Sequence, residues 1–163
     1  MSLLPLQQPL PQFFRMLPFK REYIRRILTE QHDPVIEQST FLQTPFDQLF
    51  LSYIQAIHIN EAVNMSDTLL IGRLWLNLYW LFDDAADDNM KKYCAEKAEE
   101  NLSKAYSENK IPDENSRQSI ALSLANLYAL CGKRDDALKM CEDAAKGADK
   151  QLVIYAYKLK ERL

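Results

Sequence analysis

Few side chains in this sequence combine the type and the spacing that chemistry requires. Two histidines occur, His32 and His58. His58 stands between Ile57 and Ile59, with no nucleophile or metal-ligand companion at a recognisable spacing. No GxSxG, HExxH, P-loop or Gly-rich dinucleotide loop occurs, so no catalytic residue is assigned and no enzyme is expected. The three cysteines, Cys94, Cys131 and Cys141, form no CxxC pair, and each sits among apolar residues. They read as reduced, buried small hydrophobes rather than disulfides or metal ligands, and no cofactor is expected. Asp83, Asp84, Asp87 and Asp88 match a cation loop in composition only, since neither Gly nor Glu completes an EF-hand pattern. Acidic residues entering a helix stabilise its positive end, which is the expected role here.

One combination suggests recognition instead. Arg73 and Asn77 stand one helical turn apart, and Trp80 follows almost a turn later. A guanidinium is a planar fork of donors that matches a carboxylate. Arg and Trp also anchor interfaces more often than most residues. The competing expectation for Trp80 is burial under a neighbouring helix.

The composition narrows the classes. Hydrophobic residues make up 47% of the 163, enough for a proper core, and only three glycines occur, which disfavours a turn-rich β fold. The formal charge is −3, so no phosphate-neutralising surface and no nucleic-acid partner are expected. The most apolar stretch, 69–82, contains Arg73 and Asn77 and is shorter than the ~18 residues a membrane span needs. Residues 1–14 are apolar but broken by Pro5, Pro9 and Pro11, with no basic leader ahead of them. The expected location is therefore the cytoplasm, with no membrane partner.

The elements that would position these residues are helices. Residues 1–18 read as an extended Pro-rich arm and 19–163 as one helical domain. The first helix, roughly 19–31, puts Tyr23, Ile24, Ile27 and Leu28 on one face and Lys20, Arg21, Arg25 and Arg26 on the remainder. Thr44-Pro45-Phe46-Asp47 starts a second helix, with a capping hydroxyl, a proline at the first position and an acid in the first turn. Ser66 and Asp67 open a third, apolar nearly all round to about Asp83, which must be covered on several sides. A fourth covers roughly 87–109. The fifth covers about 116–131, capped by Asn115 or Ser116 and stopped by Gly132, a natural left-handed residue. The sixth runs from Asp135 to Gly147. The seventh starts at Asp149, with Leu152, Ala156, Leu159 and Leu163 in one stripe. No segment sustains the alternation of a strand.

A repeat is visible in these helices. Leu124, Ala125 and Tyr128 precede Gly132, and Ala137, Cys141 and Ala144 follow it. This run resembles the tetratricopeptide (TPR) pattern, in which small residues let paired helices approach. It predicts that Tyr128, Ala125, Ala137 and Ala144 are buried in one tight pair. Trp75, Leu76 and Tyr79, with Ala98, Leu102 and Ala105, make a looser upstream copy. The Thr44–Ala62 helix, Arg73-Leu74-Trp75-Leu76-Asn77-Leu78-Tyr79 and Ala98-Glu99-Glu100-Asn101-Leu102-Ser103-Lys104-Ala105-Tyr106 also resemble a bacterial family numbered 2225 among domains of unknown function. The resemblance covers roughly residues 12–150. It implies a cysteine-rich, zinc-ribbon-like segment followed by TPR-like helices. The CxxC pairs of such a ribbon are missing here, so either the chain begins after it or this member lacks it.

Together these readings give an all-α, TPR-like fold of six or seven helices in antiparallel pairs with an extended N-terminal arm. The expected function is non-catalytic binding of a protein or peptide, acidic or held by its C-terminal carboxylate. Helical repeats expose a face lined by the first helix of each pair. That mapping selects Arg73, Asn77, Trp80, Ser119, Ser123 and Asn126 as a groove. The alternative is a structural or oligomerisation domain of a larger zinc-ribbon-containing bacterial protein, with the apolar arm joining a homodimer.

Overall fold

The computed structural model describes residues 18–30, 44–84 and 87–163, with side chains in the first stretch from Glu22 onward. The arm at 1–17 and the loop from His32 to Gln43 lie outside the described residues, as do the side chains of Lys20 and Arg21. Within them the protein is all-α: seven helices and no strand. These are α1 (Pro18–Glu30), α2 (Pro45–Val63), α3 (Thr68–Asp84), α4 (Asp88–Ser107), α5 (Glu114–Leu130), α6 (Arg134–Ala145) and α7 (Lys150–Arg162). No helix among the described residues is long and apolar enough to cross a membrane.

Local chemistry sets most helix ends. Thr44 and Asp47 form a reciprocal capping box at α2: the Asp47 amide donates to Thr44 Oγ1 at 3.2 Å and the Thr44 amide donates to Asp47 Oδ2 at 2.9 Å. Asp67 accepts from the Leu70 amide, Asp87 from the Met90 amide and Asp149 from the amides of Gln151 and Leu152. Gly132 follows α5 at φ 76°, where an L side chain is strained. The fifth helix departs from expectation. It begins two residues early, at Glu114, because Asp113 and not Asn115 or Ser116 is the cap. Both Asp113 oxygens are engaged, accepting from the Ser116 amide at 2.7 Å and the Ser116 hydroxyl at 2.9 Å.

The helices pack as antiparallel pairs. Gly72 of α3 meets Leu102 of α4, and at the other end Lys91 Nζ donates to Asp83 at 3.1 Å. Gln118 of α5 reaches the end of α6, where its Nε2 donates to the Ala144 carbonyl at 2.9 Å. One buried cluster runs from Ile24, Ile27 and Leu28 on α1 through Phe50, Ile54, Leu78, Phe82 and Leu102 to Met140 and Cys141 on α6. As the all-round apolar pattern of α3 requires, it is covered by both α2 and α4: Phe82 lies edge-on to Phe46 and Phe50, and Trp75 to Tyr93. Ala125, Ala137 and Ala144 are buried as expected, but Tyr128 is half-buried. It packs against the main cluster and lines a cleft between α4, α5 and α6.

Pairs are also tied to one another. Lys133 Nζ donates to Glu99 at 3.2 Å, and Tyr106 Oη donates to Asp143 at 3.0 Å. The two links join α4 and α6 in the same direction along both helices. A satellite cluster of Ala121, Ala144 and Ala156 brings α5, α6 and α7 together.

Candidate functional site

On α3, Arg73, Asn77 and Trp80 form one exposed row. The row lies off the side on which Gly72 and Trp75 meet α4. Trp80 is 52% exposed, as the groove mapping expects and against the competing expectation of burial; its ring lies edge-on to Tyr79 at 4.9 Å. On α5, Ser119 and Asn126 are exposed and Ser123 is half-buried, again off the side that meets α6. Both α3 and α5 run antiparallel to α4, so their rows are parallel.

The charge at the head of this face is shared. The Ser116 amide and hydroxyl, and then the nearby Arg73 charge, hold the Asp113 carboxyl below its usual range. Arg73 thus stands close to the start of α5. It forms no ion pair among the described residues. Asn126 Nδ2 donates only weakly to the Leu122 carbonyl at 3.3 Å, which leaves its amide accessible.

The remaining candidates take structural places. Asp87 caps α4 and Asp83 pairs with Lys91, as the end-of-helix reading anticipates. Arg25 and Arg26 are paired within α1 to Glu22 and Glu30. His58 is half-buried on α2. All three cysteines are free thiols, with Cys94 and Cys141 buried and Cys131 half-buried. Among the described residues no three His, Cys, Asp or Glu side chains come together as a metal site.

Two features escaped sequence reasoning. One is a polar cleft of about 510 Å³ between α4, α5 and α6, with a smaller lobe of about 230 Å³. Tyr106, Arg117 and Asp143 form the wall shared by the two lobes. The Arg117 guanidinium lies 3.9 Å from the centre of the Tyr106 ring. None of the predicted groove residues lines either lobe. The second feature is an exposed row on α7: Gln151, Tyr155, Lys158 and Arg162. It is set off from the inward stripe of Leu152, Ala156, Leu159 and Leu163, by which α7 alone had been read.

No curated protein and no solved structure matches the chain. A family model described as "Uncharacterized protein conserved in bacteria (DUF2225)" matches residues 11–162. That span takes in all seven helices, and the chain belongs to this bacterial family, as the motifs on α2, α3 and α4 suggested.

Proposed function

We propose that this chain is a TPR-like, non-catalytic module of the cytoplasm that binds a protein or peptide on the face of α3 and α5. The observation that carries this reading is the pair of parallel uncovered rows, with Arg73, Asn77 and Trp80 on one helix and Ser119, Ser123 and Asn126 on the next. Apart from Leu70, the other apolar side chains of α3 are buried or half-buried, so an exposed tryptophan in one row with an arginine is the arrangement of an interface anchor. Support for TPR-like stacking comes from the ties between α4 and α6. Glu99 and Lys133 are 34 residues apart, and Tyr106 and Asp143 are 37 apart. The tetratricopeptide period is about 34.

The ligand this face suits is acidic or presents a free C-terminal carboxylate. The test is an NMR titration of the full chain with two forms of one acidic peptide, a free acid and an amide. Shifts should concentrate at Arg73, Asn77, Trp80, Ser119, Ser123 and Asn126, and should weaken with salt. Shifts confined to the cleft of Tyr106, Lys139 and Asp143 would move the site to the other side of α5 and refute this assignment.

A further inference from the structure

The helices α3, α5 and α7 share one register. Each begins at an aspartate whose side chain accepts from amides of the first turn: Asp67, Asp113 and Asp149. Counting from those caps, the sixth residues are Arg73, Ser119 and Tyr155, and the thirteenth are Trp80, Asn126 and Arg162. These six side chains are of five types, yet all six are exposed. The helices are also parallel, since each is antiparallel to the helix between, and α5 and α7 pack directly on one another. Each start is displaced along its predecessor, because Asp113 lies near Arg73 and Asp149 is held by Gln118. Equivalent residues therefore form a slanted line across the face.

Trp80 and the cations Lys158 and Arg162 stand far apart along that line, although α7 also exposes Ile154 and Tyr157. The α3 end carries Trp80, 52% exposed. Its single cation, Arg73, is offset by Asp113, and Asp84 continues the same row. The α5 row is uncharged: Ser119, Leu122, Ser123, Asn126 and Leu130. The α7 row carries Lys158 and Arg162 one turn apart, with Tyr155 beside them and no ion pair to either among the described residues. The α7 row of a chain with net charge −3 thus presents two exposed cations.

We infer that the α7 row is the anion-reading end of the binding face, and that its ligand is an extended segment with an apolar side chain at Trp80 and carboxylates at Lys158 and Arg162. This inference rests on the proposed binding face and adds its direction. Three parallel helices put the two ends about 18–25 Å apart, given interaxial distances near 8–10 Å and the stagger. An extended chain covers that in roughly six to eight residues. The Asn126 amide lies between them, placed to bond the ligand backbone. An acidic segment is drawn to α7 first because Arg73 shares its field with Asp113 and Asp84.

The probe is a fluorescein-labelled, C-terminally amidated peptide with Phe-Leu at one end, six Ser and Gly residues, and three Glu. The full chain should bind it, and a version with Gln for Glu should bind about tenfold more weakly. The variant Lys158→Gln/Arg162→Gln should lose a similar factor and most of the salt dependence, whereas Arg73→Gln should lose about threefold or less. Because both α7 side chains are exposed, thermal unfolding should confirm that the variant stays folded. Charge reversal, Lys158→Glu/Arg162→Glu, should abolish binding. Equal binding by wild type and the double Gln variant would overturn the inference while leaving the α3–α5 face standing. Failure of wild type to bind the Glu peptide, with no shifts on α3 or α5, would overturn both.

Discussion

The Gln118 side chain clasps the backbone of Asp149: its Oε1 accepts from the Asp149 amide at 2.9 Å, and its Nε2 donates to the Asp149 carbonyl at 3.1 Å. The same Nε2 also donates to the Ala144 carbonyl at 2.9 Å. One buried amide on α5 therefore ends α6 and positions α7. Gly147 completes the fit, since a Cβ there would overlap the Gln118 amide. If α7 bears the anion-reading row, Gln118 sets where that row stands.

Replacing Gln118 by Leu keeps the volume but leaves the Asp149 amide without a partner, while the carbonyls of Ala144 and Asp149 keep only the amides of Gly147 and Val153. The expected cost is about 2–3 kcal/mol in urea unfolding, the penalty of buried unsatisfied polar groups. Gln118→Glu keeps the acceptor for the Asp149 amide but sets a buried carboxylate oxygen against two carbonyls, so it should cost at least as much. Hydrogen exchange should quicken in α7 before α3. Equal protection of α7 in wild type and Gln118→Leu would show that the alanine contacts alone hold the last helix.

Two glycines should respond to alanine for different reasons. At Gly72 a Cβ would lie 2.7 Å from Leu102 Cγ and 3.1 Å from its backbone nitrogen. Overpacking of that kind costs about 1–3 kcal/mol, and shortening the neighbour in Gly72→Ala/Leu102→Val should recover part of it. At Gly132 nothing lies within 4 Å, so the cost is the left-handed backbone alone, about 1–2 kcal/mol, and no neighbouring substitution should relieve it. Additive costs for Gly72 and Leu102 would contradict the steric account.

What the sequence made legible was mostly local. Thr44 with Asp47, Asp149, and Gly132 act on groups within four residues, so their roles follow from residue type and spacing. The start of α5 was misplaced because Asp113, Asn115 and Ser116 are all competent caps within four positions, and the choice falls to the one that leaves Ile111 buried. Gln118 could not be read, as its partners lie 26 and 31 residues downstream. The exposure of Trp80 was legible only through the repeat mapping, because α3 is apolar nearly all round and its own pattern names no outward side. The α7 row was missed although its register from the aspartate caps is present in the sequence.

Tyr128 tests how far the repeat pattern sets energetics. As a fully buried aromatic its truncation would cost about 3–5 kcal/mol, but Tyr128 is only partly buried and lines the cleft between α4, α5 and α6. Tyr128→Ala should therefore cost only about 2 kcal/mol, while Phe82→Ala, at 0% exposure, should cost the full ~3–5 kcal/mol. Parallel urea titrations compare the two. A Tyr128→Ala cost equal to that of Phe82→Ala would mean the cleft closes around the ring in solution.

The thiols and tyrosines make the fold sensitive to alkali. Burial pushes the Cys94 thiol well above its ordinary value of 9.0, and burial likewise raises Cys131 and Cys141. Desolvation also raises Tyr79, Tyr93, Tyr106 and Tyr128 above 10.0. For each group the folded chain keeps a proton that the unfolded chain releases. Their stabilising contribution is thus whole below pH 9 and is lost as pH rises, first through the thiols and then, above 10, through the phenols. A fully buried thiol contributes up to about 1.4 kcal/mol of lost stability per pH unit in that range. The urea midpoint should fall from pH 9 upward, and Cys94→Ala should flatten the part of the fall between 9 and 10, whatever it does to absolute stability. Thiol labelling at pH 8 separates the three sites, with Cys131 reacting first because it is half-buried, and Cys94 and Cys141 reacting only as fast as the fold opens. A midpoint that stays level to pH 10, or a Cys94 that labels as fast as Cys131, would contradict the buried placement of α4 between its neighbours.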